Sequence, residues 1–314
     1  MSERLFLRLD EDSVQAPEAE APAGSLRAWP VSEKLRGYVA HVLGYREVVP
    51  AGHEIVERVL PDGAVRLIVN LGDAPGVDEG GGRQLEVIGA NVEPALIRLR
   101  GRVEGLSVTL RAGAARAVLG MPAGEISGQA ISIESVWGSA GRELGERLLG
   151  AGDDSARVVL LDGWLRERLR RGAALGAKSG LSAGVSASAS ALRAVQLISA
   201  GEGQRSLREV AESVGVGERR LQQLFHAEVG LSPRAVSRLA RLQACLRALR
   251  RVRPLLAGVD AGAGDRDGPR WAELALERGF YDQSHLVNEF RAFSGLTPTE
   301  FFRRTISGSS KTLP

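Results

Sequence analysis

The 314-residue chain carries a single cysteine, Cys245. That excludes an internal disulfide and any multi-cysteine metal site, and it favours a reducing, cytoplasmic setting. Histidine is nearly as scarce. His41, His53, His226 and His285 are scattered, with no His-x-His or His-x3-His pair. The ligand cluster of a metal-binding barrel of the cupin kind is therefore missing, and no metal or cofactor is expected. No apolar stretch approaches the ~18 residues of a membrane-spanning helix, so no membrane partner is expected either. The N-terminal MSERLFLRLDEDSVQ has early acidic residues and no signal-peptide core. Lysine is confined to Lys34, Lys178 and Lys311 among 41 basic residues, so arginine supplies nearly all the positive charge.

What is present is ordinary in bulk. A hydrophobic content of 44% and a charged content of 25% fit a soluble globular protein, and the length fits two domains. The net charge of +3 hides an asymmetry. Residues 191–314 hold 19 basic and 13 acidic residues, whereas 1–190 hold 22 and 25. Within 204–253 the balance is 11 arginines against 4 glutamates. A basic C-terminal part points to a polyanion partner, although a solvated helix face gives the same count.

The stretch RGAALGAKSGLSAGVSASASA, 171–191, is rich in Gly, Ala and Ser without apolar periodicity, and it reads as a flexible linker. It divides a first domain, 1–170, from a second, 192–306. The acidic, proline-containing lead at 10–25 and the tail SGSSKTLP read as loose. The first domain reads as β-rich. RLIVNLG (66–72), LEVIGAN (85–91), ALIRLRG (95–101) and GLSVTLR (105–111) are short, rich in branched residues and separated by glycine-containing turns. PDG (61–63) is a turn signal. GAARAVLG then reads as a short helix and 154–171 as a longer one. In that longer helix Val158, Leu161, Leu165 and Leu169 share one face. Such a face docks on its own sheet or on a second copy, and its own sheet is favoured. Trp29, Tyr38, Tyr45, Arg58 and Arg66 are candidates for an effector site, although aromatics in a β domain are more often core. No ligand-binding residue is assigned.

The second domain reads as all helix and contains a repeat. LREVAESVGVGERRLQQLFHAEVGLSPRAVSRL aligns with AELALERGFYDQSHLVNEFRAFSGLTPTEFFRR. Ala211 matches Ala275, Gly215 matches Gly279, Leu221 and Phe225 match Leu286 and Phe290, and Gly230 matches Gly295. The second copy has one extra residue in its turn. Each copy has the pattern of a helix-turn-helix: a small residue where two helices cross, a glycine suited to positive φ four positions later, and apolar residues at i and i+4 on the next helix. Ser206 with Glu209, and Thr297 with Glu300, form capping boxes. Ser232-Pro233 and Thr297-Pro298 each start a further helix.

Each second helix then has an outward polar face. It carries Arg219, Gln222, Gln223 and His226 in the first copy, and Gln283, Ser284, Val287, Asn288 and Arg291 in the second. Arg, Gln and Asn offer the paired donors and acceptors that match base edges in the major groove, and valine can cover a thymine methyl. Arg220, Arg234, Arg238, Arg241, Gln283 and Arg291 suit phosphate contacts that position without specifying.

Residues 204–304 resemble the DNA-binding domain of AraC/XylS-type transcription regulators. The resemblance is carried by LREVAESVGVGERRLQQLF, GLSPRAVSRLARLQACLRAL and LALERGFYDQSHLVNEFRAFSGLTPTEFFRR, about a third of the chain. It implies two helix-turn-helix units joined by a long helix near 233–253, each placing one helix in the major groove of double-stranded DNA. The family's base-reading positions fall on Arg219, Gln222 and Gln223, then on Ser284, Val287 and Asn288. Residues 254–270 lengthen the usual connection to the second unit, which loosens the expected spacing. VLPDGAVRLIVNLGD, VIGAN and LRAGAARAVLGMPAGEI resemble an uncharacterised sensor-type domain found ahead of such regulators. That is compatible with a small, cupin-like barrel that binds a small-molecule effector. The expectation is an α+β multidomain, cytoplasmic regulator that contacts RNA polymerase, with a homodimer optional.

Competing readings are weaker. Asp282, Ser284 and His285 have the residue types of a hydrolytic triad. Neighbours on a helix point about 100° apart, however, so these three diverge. The simpler reading makes Asp282 or Ser284 a helix cap. Cys245 lies beside the stripe of Leu239, Leu242, Leu246 and Leu249, which favours packing over redox sensing. An enzyme with a DNA-targeting tail is the rival class. Its version with a methyl-accepting cysteine fails because no cysteine precedes residue 245. An architectural DNA binder without sequence preference is the other rival.

Overall fold

The computed structural model describes residues 3–9, 12, 14, 19–77, 82–178, 182–256 and 270–309. The first part is built on strands β1 (Glu3–Phe6), β2 (Leu26–Trp29), β3 (Val39–Val48), β4 (Ile55–Val59), β5 (Arg66–Asn70), β6 (Gly76–Val77), β7 (Leu85–Ile88), β8 (Ala95–Leu99), β9 (Arg102–Leu110) and β10 (Ala130–Ser132). They form a four-stranded sheet, β1-β4-β8-β6, and a six-stranded sheet, β10-β7-β5-β9-β3-β2. The β-rich expectation holds, and among the described residues the strands make two sheets, with no closed barrel.

Register explains why the larger sheet has two different faces. Val42, Val108, Leu67 and Val87 stand side by side across four strands. All four are buried, in one cluster with Leu144, Leu148, Leu161 and Leu165 of the covering helices. Each such side chain is worth ~1.5–3 kcal/mol relative to exposure. The adjacent row, Leu43, Ser107, Ile68 and Glu86, points to the other side and is mixed. On that side the Tyr45 hydroxyl donates to Asn70 Oδ1 at 2.6 Å. It passes over Gly105, where an added β-carbon would lie 2.1 Å from the Val69 carbonyl oxygen.

The helices are α1 (Ala115–Leu119), α2 (Ile133–Trp137), α3 (Ser139–Gly150), α4 (Asp154–Lys178), α5 (Ser182–Ala200), α6 (Leu207–Ser213), α7 (Glu218–Leu224), α8 (Pro233–Leu256), α9 (Trp271–Glu277), α10 (Gln283–Ser294) and α11 (Pro298–Ser309). Leu161 and Leu165 of α4 are buried, and Val158 and Leu169 pack beside them, so that helix docks on its own chain. No helix among the described residues is long and apolar enough to cross a membrane.

Two sequence expectations change. The stretch 171–191 is helical through Lys178 and again from Ser182, while 179–181 lie outside the described residues. Alanine is the strongest helix former, and tertiary packing buries Ala191 and Ala194, so low complexity here does not mean a loose chain. The lead at 10–25 is also engaged where it is described. Glu20 accepts from the Leu5 N–H at 2.7 Å, and Asp12 pairs with Arg250 at 2.9 Å. One cluster of buried side chains runs from Leu5 to Phe301, so the β-rich and helical parts share a core.

Candidate nucleic-acid interface

The two halves of the repeat close their turns with the same bonds. Val216 N–H donates to the Ala211 carbonyl at 3.0 Å, and Phe280 N–H donates to the Ala275 carbonyl at 2.9 Å. Gly215 and Gly279 take φ of 72° and 74°. This left-handed C-terminal turn is open to glycine without strain. Ala211 and Ala275 are buried at the crossings, and Leu221, Phe225, Leu286 and Phe290 are fully buried inside their units. Phe290 meets Phe293 and Phe301 edge-on, at 6.3 and 5.3 Å between centroids. The extra residue of the second turn is Tyr281, which is 86% exposed.

Both capping boxes are present. Ser206 and Glu209 bond reciprocally, with Glu209 Oε2 accepting from Ser206 N at 2.8 Å. Thr297 N–H donates to Glu300 Oε2 at 2.7 Å. These bonds hold the Glu209 and Glu300 carboxyls below the ordinary range. Asp282 caps α10, accepting from the His285 N–H at 2.7 Å. His285 Nδ1 accepts from the Tyr281 N–H at 3.2 Å, and its ring meets Phe280 edge-on at 5.5 Å. Asp282 and His285 therefore do local structural work while Ser284 is exposed, and the three do not converge on a reaction centre.

Arg219, Gln222 and Gln223 on α7 are exposed, and so are Ser284 and Asn288 on α10, with Val287 half-buried between them. Arg220, Arg234, Gln283 and Arg291 are exposed too. Arg238 and Arg241 are placed differently. Arg238 pairs with Glu289 of α10 at 2.5 Å. Arg241 is half-buried, lies 5.7 Å from the Phe280 ring and donates to the Gly203 carbonyl at 3.3 Å. Burial lowers its pKa from the usual guanidinium value. Both arginines join the units from within.

The joint between the units was not visible in the sequence. After α5, Glu202 takes a φ of 50° and pairs with Arg278 at 2.6 Å, while Gln204 donates to the Glu277 carbonyl at 3.1 Å. The loop 202–204 thereby grips the end of α9. Residues 257–269 of the long connection lie outside the described residues. The second unit is nevertheless held by this loop and by Arg238–Glu289. Cys245 is fully buried on α8, and its thiol is pushed up to about 12 by burial. That environment is the reverse of a reactive thiolate.

The β-rich part holds the units from behind. A π-helical turn, Phe225–Val229, follows α7 and buries Glu228, whose carboxylate accepts from Arg116 at 2.9 Å and Ser188 at 2.6 Å. Ser127 donates to the Gly230 carbonyl. On the second unit, Arg304 bonds Glu20 at 2.8 Å. The proposed effector residues do not converge. Tyr45 bonds Asn70, Arg58 pairs with Glu3, Arg66 pairs with Asp62, and Arg27 lies over Trp29.

Residues 28–132 match the family model DUF6597, a domain of unknown function. No curated protein matches the chain. Crystal structures of ToxT from Vibrio cholerae are similar at a low level. The structure from strain O395 is 11% identical with a TM-score of 0.38, covering 90% of this chain and 98% of that one. The O395 protein bound to (E)-4-(8-methylnaphthalen-1-yl)but-3-enoic acid is 11% identical with a TM-score of 0.39, covering 90% and 99%. Wild-type ToxT from strain SCE256 with bound unsaturated fatty acid is 9% identical with a TM-score of 0.38, covering 83% and 94%. Likeness at this level carries no argument about function.

Proposed function

We propose that the chain is a sequence-specific, DNA-binding transcription regulator of the AraC type that acts in the cytoplasm. The observation that carries the reading is the duplicated pair of helices, α6–α7 and α9–α10, which we read as helix-turn-helix units. Its two copies share turn geometry, bury their apolar faces and leave Arg219, Gln222, Gln223, Ser284 and Asn288 exposed. Val287 joins the second reading face. Arg220, Arg234, Gln283 and Arg291 flank these faces and suit phosphates. The β-rich part contacts both units and is the candidate seat of control by a small-molecule effector. The output is occupancy of a promoter and contact with, or exclusion of, RNA polymerase, so the reading assigns the chain no catalytic step. Two reading helices in one chain can span about one helical turn of DNA, roughly 34 Å, which leaves a homodimer optional.

The test selects bound duplexes from a random library with the full chain and then compares variants on selected and random DNA. Arg219→Ala and Asn288→Ala are each expected to cost roughly 1–3 kcal/mol at one base position and to relax preference there. Equal losses on selected and random DNA would show that these residues do not read bases. No preference even for the parent chain would favour an architectural binder.

A further inference from the structure

A cleft of about 350 Å³ lies where the six-stranded sheet meets α5 and α8. That volume falls at the lower end of small-molecule sites, ~300–1,000 Å³. Leu192 and Val195 of α5 and Val236 and Leu239 of α8 supply apolar walls. The turn Asp62-Gly63 closes one side. A β-carbon at Gly63 would stand 2.8 Å from Leu239 Cδ1, so the turn sits directly on α8.

The polar lining decides what fits. Thr109 of β9, Gln196 and Ser199 of α5 and Gln243 of α8 line the cleft. None of these four side chains has a hydrogen-bond partner among the described residues. The two carboxylates in the same lining are engaged. Glu228 is held by Arg116 and Ser188. Asp62 is held by Arg66 and by the Ala64 N–H at 2.9 Å. Arg111, exposed at the rim, donates its Nε–H to the Arg36 carbonyl at 2.7 Å. His41 Nδ1 faces an Arg8 Nη at 3.1 Å. A cationic ligand would find both lining carboxylates already paired, and an anionic one would lose hydration and meet only the solvated Arg111 at the rim, where a pair contributes little; an uncharged ligand meets open amide and hydroxyl groups.

We propose that this cleft binds a compact, uncharged organic molecule of one or two rings bearing amide, carbonyl or hydroxyl groups. The proposal rests on the regulator reading only for its consequence. The cleft touches Glu228 and Val229, which end the first helix-turn-helix, and Leu239 on the helix that leads to the second. Occupancy therefore bears on both reading units at once.

The test is calorimetric titration of the full chain without DNA, using indole-3-carboxamide and its isosteric anion indole-3-carboxylate as probes. The amide is expected to bind at one site, and the carboxylate to bind at least roughly tenfold more weakly. Val195→Trp fills the cleft and abolishes amide binding. Gln243→Leu removes one amide partner and weakens amide binding several-fold, a readout that stands if Val195→Trp fails to fold. Equal or tighter binding of the carboxylate overturns the charge argument. Amide binding unchanged in the variants that fold overturns the location, and the absence of heat with both probes overturns the proposal itself. Because DNA is absent, failure here leaves base reading standing, and failure of base reading leaves ligand binding intact.

Discussion

Gly203, Gly215 and Gly279, with φ of 74°, 72° and 74°, are among the five described glycines of the helical part that take a left-handed backbone. A β-carbon would meet nothing within 4 Å at Gly215, the Gln204 side chain at 3.0 Å at Gly279, and the Ser237 carbonyl oxygen at 2.1 Å at Gly203. Alanine at each position therefore separates backbone strain from steric overlap. Left-handed backbone costs an L-residue ~1–2 kcal/mol, and the lower entropy of the unfolded chain returns ~0.4–1 kcal/mol. Gly215→Ala is expected to cost roughly 0–1.6 kcal/mol by that difference. Gly279→Ala adds little, because the Gln204 side chain can swing aside at the loss of its bond to Glu277. Gly203→Ala cannot relax that way, since it presses on the backbone of α8, and overpacking of this kind adds ~1–3 kcal/mol. Thermal unfolding followed by circular dichroism reads the series, at about 2 °C per kcal/mol for a chain of this size. A Gly203→Ala midpoint no lower than that of Gly215→Ala would refute the claim that loop 202–204 is wedged against α8.

Glu86 is buried on β7 and its carboxyl is raised above the ordinary range, chiefly by desolvation. Its charge is thus disfavoured in the folded state, and stability is lost as pH rises through the folded pKa. Glu86→Gln should raise the melting midpoint at neutral pH and leave it unchanged in acid. The capping carboxylates behave oppositely. Hydrogen bonds from Ser206 and Thr297 lower the carboxyls of Glu209 and Glu300, so their contribution is present above the unfolded value and fades as pH falls through the folded one. Glu209→Ala and Glu300→Ala should lower the midpoint at neutral pH and converge on the parent in acid. Cys245 should resist a thiol-specific reagent until the chain unfolds; fast labelling of the native protein would contradict its burial.

Legibility in the sequence followed the range of the forces. The repeated pair of helices was readable because its determinants are local. Ala211, Gly215, Leu221 and Phe225 act within one supersecondary unit, and the same spacing recurs at Ala275 to Phe290. Four strands and the short helix α1 were likewise marked by branched residues and glycine turns. Strand β3 escaped because VAHVLGYREV does not alternate, its apolar residues serving both faces of a sheet covered on one side and mixed on the other. Loop 202–204 escaped for another reason. GEGQ reads as an ordinary turn, and its partners Arg241 and Arg278 lie 38 and 76 residues away. Composition misled at 171–191, where Gly, Ala and Ser suggested a loose chain while packing of Ala191 and Ala194 favoured helix.

The contacts that join the β-rich part to the two units differ from those that join the units to each other, and the difference bears on how a signal could pass. Arg304–Glu20 is a partly exposed ion pair, which contributes little because water replaces each partner when they part. Arg250–Asp12 is largely buried, with side chains 16% and 8% exposed, and there the cost of desolvation offsets much of the attraction. Arg116–Glu228 is asymmetric: the carboxylate is buried, while the guanidinium is 42% exposed. Losing Arg116 leaves a buried charge, whereas moving the whole π-helical turn into water does not. The ion pairs therefore fix register without providing most of the adhesion. Adhesion comes from the shared core, where Gly63 meets Leu231 and Leu239. A small change in packing at that contact would shift the first unit and the linking helix together. The Arg278–Glu202 pair and the bond between Gln204 and Glu277 would carry the second unit along.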